Sequence, residues 1–266
     1  MFKPLLLRQI KSLMRFPYFE IMLLILTFET CAYATRSGTS YVANFSGEEM
    51  EPHITGFAEG ILYQYISYRI RALYPIIAFF SPILSYLTIS YFRDIGFLKT
   101  EFSFPVKRSY IYFSKFLASH LTLFVVIVSS VFFSMILNCF NVFQFLNPVS
   151  MLSGPLIILI ETFLITFFAS SITILMAFIV KWPGVSLIAS ISLLYSFEPI
   201  SMNFRTIPVF PEGLQIFEDR ALIFSREGVH LSLGPYSFES LLPSLFISVL
   251  AFFSGYYYVT RRLQVS

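Results

Sequence analysis

This chain of 266 residues contains few charged residues and few cysteines. Only 12% of the residues are charged, against roughly 25% in ordinary soluble domains, so a soluble globular fold is excluded. The two cysteines, Cys31 and Cys139, exclude a disulfide-rich scaffold and a cysteine-based zinc site. They either form one disulfide at the outer ends of two apolar runs or are small buried residues, and both interpretations stay open.

Short motifs that carry enzyme chemistry are also missing. The chain has no Gly-x4-Gly-Lys-Ser/Thr loop for ATP phosphates, no His-Glu-x2-His zinc motif and no Gly-x-Ser-x-Gly turn. The three histidines are scattered. His120, in an apolar run, does not supply two haem ligands, and we interpret it as an interfacial polar residue. We therefore expect no catalytic residue, metal or cofactor in this chain, and no nucleic-acid partner.

Long apolar runs are abundant: 56% of the residues are hydrophobic and the mean hydropathy is +0.75. Because about 20 helical residues cross a hydrocarbon layer of about 30 Å, the runs predict an all-α membrane protein. We expect a single membrane domain over residues 1–266. Its six predicted transmembrane helices are Phe16–Ala34, Leu73–Tyr91, Phe116–Leu137, Pro155–Val180, Val185–Phe197 and Leu241–Val259.

The basic residues favour one orientation. With the N-terminus inside, twelve of them fall in inner segments and six in outer segments, and every lysine lies inside. The positive-inside rule then predicts a multi-pass plasma-membrane protein with both termini in the cytoplasm. The external loops are residues 36–72 and 198–240. The first contains Asn44, a glycosylation candidate in an Asn-Phe-Ser tripeptide, and in the second Leu214–Ile223 predicts a short outer helix.

Residues 1–15 predict an amphipathic helix. Arg8, Lys11 and Arg15 share one helical face, and leucine and isoleucine occupy the other. A basic helix of this kind lies in the membrane interface, here the inner one, in contact with lipid.

A basic, Pro-broken connector at residues 92–115 joins the second and third predicted helices. Its cations need a partner, either a docked protein or anionic lipid headgroups, and both interpretations stay open. A Pro-fixed turn followed by a helix is expected to hold Lys107, Arg108 and Lys115 near the membrane surface. The residues of interest in this connector are Arg93, Asp94, Glu101, Pro105, Lys107, Arg108 and Lys115.

Two carboxylates, Glu29 and Glu161, lie inside predicted helices. Each is either a polar point on a transport path or a hydrogen-bonding residue between helices, and the sequence leaves both open. Four small polar residues recur at helical spacing after Glu161, and this pattern favours a close-packing seam. They are Thr162, Thr166, Ser170 and Thr173.

The order of these parts resembles the type-2 ABC exporter permeases (the ABC-2 family). That family has an N-terminal amphipathic helix, six spans, a cytoplasmic connector after the second span and short outer helices between the fifth and sixth. Its connector reads as a charged stretch, an apolar-Pro-x-x-Arg turn and aliphatic residues leading to a lysine. The matching residues here are Arg93-Asp94, Lys99-Thr100-Glu101, Phe104-Pro105-Val106-Lys107-Arg108 and Lys115. The family's acidic-Arg-acidic run before the Pro turn is reduced to Asp94 and Glu101.

The resemblance implies a mechanism. A separate ABC ATPase dimer would bind ATP and magnesium beneath two permease chains, identical or different, and the amphipathic helix and connector would carry its motion to the spans. Substrate would then move outward along the interface of the two permeases. The alternative is a non-transporting integral subunit of a larger membrane complex, in electron transfer or assembly.

Overall fold

A computed structural model describes residues 2–14, 18–36, 62, 73–103, 105–140, 144, 148–203, 223–225, 228–230 and 236–262. Nearly all of these residues are helical. In chain order the elements are α1 (Phe2–Leu13), α2 (Tyr18–Arg36), α3 (Tyr74–Ser85), the π-helical segment π1 (Tyr86–Ser90), α4 (Tyr91–Asp94), α5 (Phe97–Ser103), α6 (Arg108–Cys139), α7 (Pro148–Ile179), α8 (Pro183–Asn203), the strands β1 (Ile223–Ser225) and β2 (Gly228–His230), α9 (Tyr236–Tyr257) and the segment π2 (Tyr258–Arg262).

Four helical stretches among the described residues are long and apolar enough to cross a membrane. The prediction of a multi-pass helical membrane protein is therefore confirmed in this coarser form. A shorter apolar helix covers Pro183–Phe197, and the count of six spans, which needs α2 and α8, stays a prediction. The four stretches are Tyr74–Asp94, Arg108–Leu137, Ile158–Ile179 and Leu242–Arg261.

The predicted external loops lie mostly outside the described residues, and Asn44 lies there too. Between α8 and α9, β1 pairs antiparallel with β2, and Phe224 stands opposite Val229. Ile223, the last residue of the outer helix predicted at Leu214–Ile223, belongs to β1. The remainder of that predicted helix is outside the described residues.

Helix α7 is the centre of the bundle. It contacts α9, α6, α3 and α8, whereas α1 and α2 pack on α6. Phe168 and Ala169 of α7 are fully buried in the main core cluster. At the edge, α9 leaves Leu242, Phe246 and Phe253 exposed. An apolar outer surface of this kind suits a helix that faces lipid.

Hydroxyl groups join α7 to α3 inside the bundle. Ser85 Oγ donates a hydrogen bond to Thr173 Oγ1 at 2.7 Å, and Ser81 Oγ lies 3.0 Å from the same oxygen. Thr162 and Thr166 are also fully buried. The burial of these small residues and the bonds of Thr173 to α3 fit the interpretation of the small polar stripe as a packing seam between helices.

A wider helical turn interrupts the span formed by residues 74–94. Pro82, inside α3, has no N–H to donate and lies one turn before π1. At the end of π1 the N–H of Tyr91 donates to the carbonyl of Tyr86, five residues back instead of four. Such π-turns are frequent at functional sites. In this one, the carbonyl of Thr88 accepts a hydrogen bond from a side chain of α6.

The connector turns at Gly96, whose φ of +77° lies in the left-handed region that glycine tolerates after a helix. Its N–H donates to the carbonyl of Arg93 at 3.1 Å, and the N–H of Lys99 donates to the carbonyl of Gly96 at 3.1 Å. α5 therefore starts directly after the turn. A second turn at Pro105 leads into α6, which begins at Arg108. The predicted connector is thus a short helix between two turns, and its final part already belongs to α6.

Candidate functional site at one end of the bundle

The connector and the end of α7 lie at the same end of the bundle. Arg93 donates from Nη2 to the carbonyl of Val180 at 2.5 Å and from Nη1 to that of Phe178 at 3.4 Å. These bonds satisfy carbonyls that a helix terminus leaves without partners. Val259 of π2 is buried in one cluster with Ile89 of π1. We call this region, together with α1, the basic end; its cations are Lys3, Arg8, Lys11, Arg93, Lys99, Lys107, Arg108, Lys115, Lys181 and Arg261.

A buried ion pair joins the connector to α6. Lys115 Nζ lies 2.8 Å from Glu101 Oε2, and the two side chains are 0% and 5% exposed. Removing two charges from water costs several kcal/mol per ion, so such a pair persists only where further hydrogen bonds support it.

Two further groups supply those hydrogen bonds. Gln9 Nε2 of α1 donates to Glu101 Oε1 at 2.9 Å. Lys115 Nζ donates to the carbonyl of Thr88 in π1 at 2.8 Å. Four segments, α1, π1, α5 and α6, therefore meet in one buried cluster, which we call the polar node and which consists of Gln9, Thr88, Glu101 and Lys115.

Aromatic rings of the connector border the polar node. Lys115 Nζ lies 5.1 Å from the centre of the Phe92 ring, and the Arg8 guanidinium carbon lies 5.1 Å from the centre of the Phe97 ring. Both distances are within the range of cation–π attraction. The rings thus hold a cation of α6 and a cation of α1 against the connector.

The arrangement makes the connector and α6 mechanically dependent on each other. If α5 moved away from α6, the charges of Glu101 and Lys115 would be separated in a buried environment. Breaking a buried pair in this way costs about 3–5 kcal/mol in measured cases. A displacement of α5 is therefore expected to move α6, α1 and π1 with it.

The other face of α5 is open to solvent. Lys99, Thr100 and Ser103 are exposed, whereas Leu98 is buried. Lys107 is exposed in the following turn. A short helix with its inner face fixed and a cationic outer face is able to dock in an acidic groove of a partner.

Most of the coupling residues named from the sequence lie at the basic end. Arg93 is half-buried, and Arg15 is outside the described residues. Lys115 is buried against Glu101, where the connector folds back on α6. Its partner is therefore a carboxylate of this chain, and its position near the membrane surface stays a prediction. The exposed residues of the set are Arg8, Lys11, Asp94, Pro105, Lys107 and Arg108.

Helix α1 is packed against protein on its apolar side. Gln9 and Leu13 are buried, Leu6 and Ile10 pack on the main core cluster, and the helix contacts α6. Arg8 and its neighbours on the opposite side stay exposed. The apolar face that the sequence assigns to the membrane interface is thus largely used for contacts within the chain.

The two acids that the sequence predicts to lie inside membrane helices do not join the polar node. Glu161 is fully buried in α7. It lies 19 residues before Val180, which is about 28 Å along a helix, so it is far from the basic end. Glu29 is half-buried in α2. Both the transport-path and the hydrogen-bonding interpretations of these residues stay predictions.

His120 lies in an aromatic cage. It is 2% exposed, and its ring centre lies 5.0 Å from that of Phe163 and 5.8–6.1 Å from those of Phe116, Phe124 and Phe167. Two of these rings belong to its own helix and two to α7, so the side chain is enclosed within the bundle, and the interfacial interpretation stays a prediction. Across the described part of the chain, no group of three His, Cys, Asp or Glu residues is placed to hold a metal ion.

Two members of the polar node are missed by sequence reasoning. Gln9 carries a signal, since it is a polar residue on the apolar face of α1 beside Leu6, Ile10 and Leu13. Thr88 acts through its backbone carbonyl, and no side-chain pattern indicates which carbonyl a lysine will reach.

The polar node has the chemistry of a joint between helices. Its carboxylate and its ammonium neutralise each other, and an amide and a backbone carbonyl occupy further hydrogen-bonding positions. No protein-family model matches the chain, and no curated protein matches it in sequence.

Proposed function

We propose that this chain is the membrane-spanning permease subunit of an ATP-driven exporter of the ABC-2 type, in the plasma membrane. The observation that carries the proposal is the polar node, which ties a basic N-terminal helix and a short connector helix to two apolar spans. A permease that does not bind ATP itself needs such a joint, because the motion that drives transport then comes from a separate protein at the cytoplasmic surface of the membrane.

In this mechanism a separate ABC ATPase dimer binds ATP and magnesium and docks beneath the exposed face of α5. Closure of the ATPases pushes α5. The Glu101–Lys115 pair passes the push to α6, Gln9 passes it to α1, and the bond from Lys115 to the Thr88 carbonyl passes it to the span that contains π1. Since π1 is already a wider turn, it is a suitable place for that span to bend.

The remaining parts of the exporter follow from the same proposal. A second permease chain, identical or different, completes the path, and substrate moves outward between the two chains. Glu29 and Glu161 are the polar candidates along that path. Both termini and the connector lie in the cytoplasm, which agrees with the cations of the basic end and the positive-inside rule.

Purification in mild detergent tests the proposal. The wild-type chain is expected to bring down an ABC ATPase. Lys107→Glu, on the exposed side of the connector, is expected to reduce the amount of ATPase recovered about tenfold, because reversing one interface charge typically costs more than 1 kcal/mol. The matched control is Lys181→Glu, the same reversal at an exposed site in the turn between α7 and α8.

Two results would contradict the proposal. One is a bound haem, quinone or pigment in the purified complex with no ATPase, which would favour the electron-transfer or assembly subunit. The other is equal loss of the ATPase in both variants, which would mean that the connector is not the docking surface.

A further inference from the structure

A groove of about 560 Å³ lies between α1 and the connector. Its α1 wall carries Arg8, Lys11 and Ser12, and its connector wall carries the rings of Phe92 and Phe97. The proposed docking of an ATPase uses the exposed side of α5 and does not require a ligand in this groove.

The groove combines two cations and a hydroxyl on one helical face. Arg8, Lys11 and Ser12 are spaced i, i+3 and i+4, which places their side chains beside each other on α1. All three are exposed. The Phe97 ring lies under the Arg8 guanidinium at 5.1 Å and limits its movement. Three donors on one face match the oxygens of one phosphate group.

The charge of the groove is positive. Glu101 lies in its wall, but this carboxylate is already paired with Lys115 and bonded to Gln9. Within the described residues neither Arg8 nor Lys11 forms an ion pair with a carboxylate. The two cations are thus available for an anion from outside the chain.

Position and shape favour a lipid as the source of that anion. Phe2 of α1 packs its ring against Tyr110, in the first turn of α6, so α1 lies beside the start of a helix that is long and apolar enough to cross a membrane. Leu7, in the wall of the groove, is 55% exposed. An apolar residue beside two cations suits a molecule with a phosphate and an acyl chain.

We infer that this groove binds the headgroup of an anionic phospholipid, with the phosphate on Arg8, Lys11 and Ser12 and the start of an acyl chain on Leu7. The bound lipid fills the space between α1 and the connector. The inference does not depend on the transport function, since it requires only that α1 lies at the membrane surface.

Native mass spectrometry of the purified chain tests this site. The protein is exchanged into detergent that contains equal amounts of phosphatidylglycerol and phosphatidylcholine. Wild type is expected to retain one phosphatidylglycerol in preference to phosphatidylcholine. Arg8→Gln with Lys11→Gln is expected to lower that retention at least about tenfold, because each cation at a membrane surface contributes roughly fivefold in affinity.

The matched control, Lys181→Gln with Arg261→Gln, also removes two positive charges at the basic end, but at positions outside the groove. This control is expected to retain the lipid as wild type does. The variant Arg8→Lys with Lys11→Arg keeps both positive charges and is expected to retain most of the lipid. Equal retention in all variants, or equal retention of the two lipids, would overturn the inference. If glycerol 3-phosphate displaced the bound lipid at the same concentration as the whole lipid does, the groove would be a free-phosphate site. If the Arg8 and Lys11 variant lost a bound protein and not a lipid, the groove would be a protein-docking site. Either result would also overturn the inference.

Discussion

Replacing Lys115 with methionine is expected to lower the free energy of unfolding by about 3–5 kcal/mol, the cost of leaving one charge of a buried pair without its partner. In the variant the Glu101 carboxylate keeps its bond from Gln9 but loses its counter-ion, and the carbonyl of Thr88 loses a donor. Thermal unfolding of the protein in detergent measures the change.

The double variant Lys115→Met with Glu101→Leu is expected to recover most of the loss, since apolar side chains of similar volume often replace a buried pair without penalty. Lys107→Met is the control for the charge, because Lys107 is exposed, and its effect should stay within about 0.5 kcal/mol. If Lys115→Met were as stable as the Lys107 variant, the ion pair would contribute nothing to the fold.

The double variant also separates stability from coupling. It folds without the charge pair, so α5 is held to α6 only by apolar contacts. If the polar node transmits motion, an ATPase bound to this variant hydrolyses ATP but supports little export. Normal export by the folded double variant would remove the ion pair from the mechanism.

A large effect is also expected for Gly255→Ala in α9. An alanine Cβ at this position would lie 2.8 Å from Tyr112 Oη, which is closer than real Cβ atoms approach. Tyr112 cannot easily move, since its hydroxyl donates to the carbonyl of Phe252 at 2.7 Å and its ring is fully buried. We expect a loss of about 1–3 kcal/mol, as for other overpacked cores, measured by the same thermal unfolding.

Gly184→Ala is the matched control, because nothing lies within 4 Å of a Cβ there, and in a helix the change is expected to be neutral or stabilising by up to about 1 kcal/mol. Tyr112→Phe in the Gly255→Ala background removes the closest atom and should recover part of the loss. A Gly255 variant as stable as the Gly184 variant would show that α9 does not pack this closely on α6.

Hydropathy predicts the membrane helices but not their full lengths. The third predicted helix starts at Phe116, whereas α6 starts at Arg108. The first two turns of α6 lie at the basic end and contain polar residues, so no apolar run marks them. The Pro105 turn is a better signal for this boundary, because the residue before a proline disfavours helical backbone and so separates α5 from α6.

Pairing at the basic end could not be derived from the sequence. Four cations are closer to Glu101 in sequence, Arg93, Lys99, Lys107 and Arg108, yet it pairs with Lys115, fourteen positions away. The choice depends on how α5 folds back on α6, which is set by the turns at Gly96 and Pro105 together. Most cations of the basic end are exposed, and composition does not indicate that Lys115 is the buried one.

The most direct test of the account is the side of the membrane on which α5 lies. Cys31 and Cys139 are first replaced, and a single cysteine is then introduced by Ser103→Cys, at the exposed end of α5, or by Ser225→Cys, in β1 between α8 and α9. A membrane-impermeant maleimide is applied to sealed cells that carry one of these variants. We predict that position 225 is labelled from outside and that position 103 is labelled only after the cells are opened. Labelling of position 103 in sealed cells would place the polar node outside the cell, where no ATPase can reach it, and would contradict the proposed function.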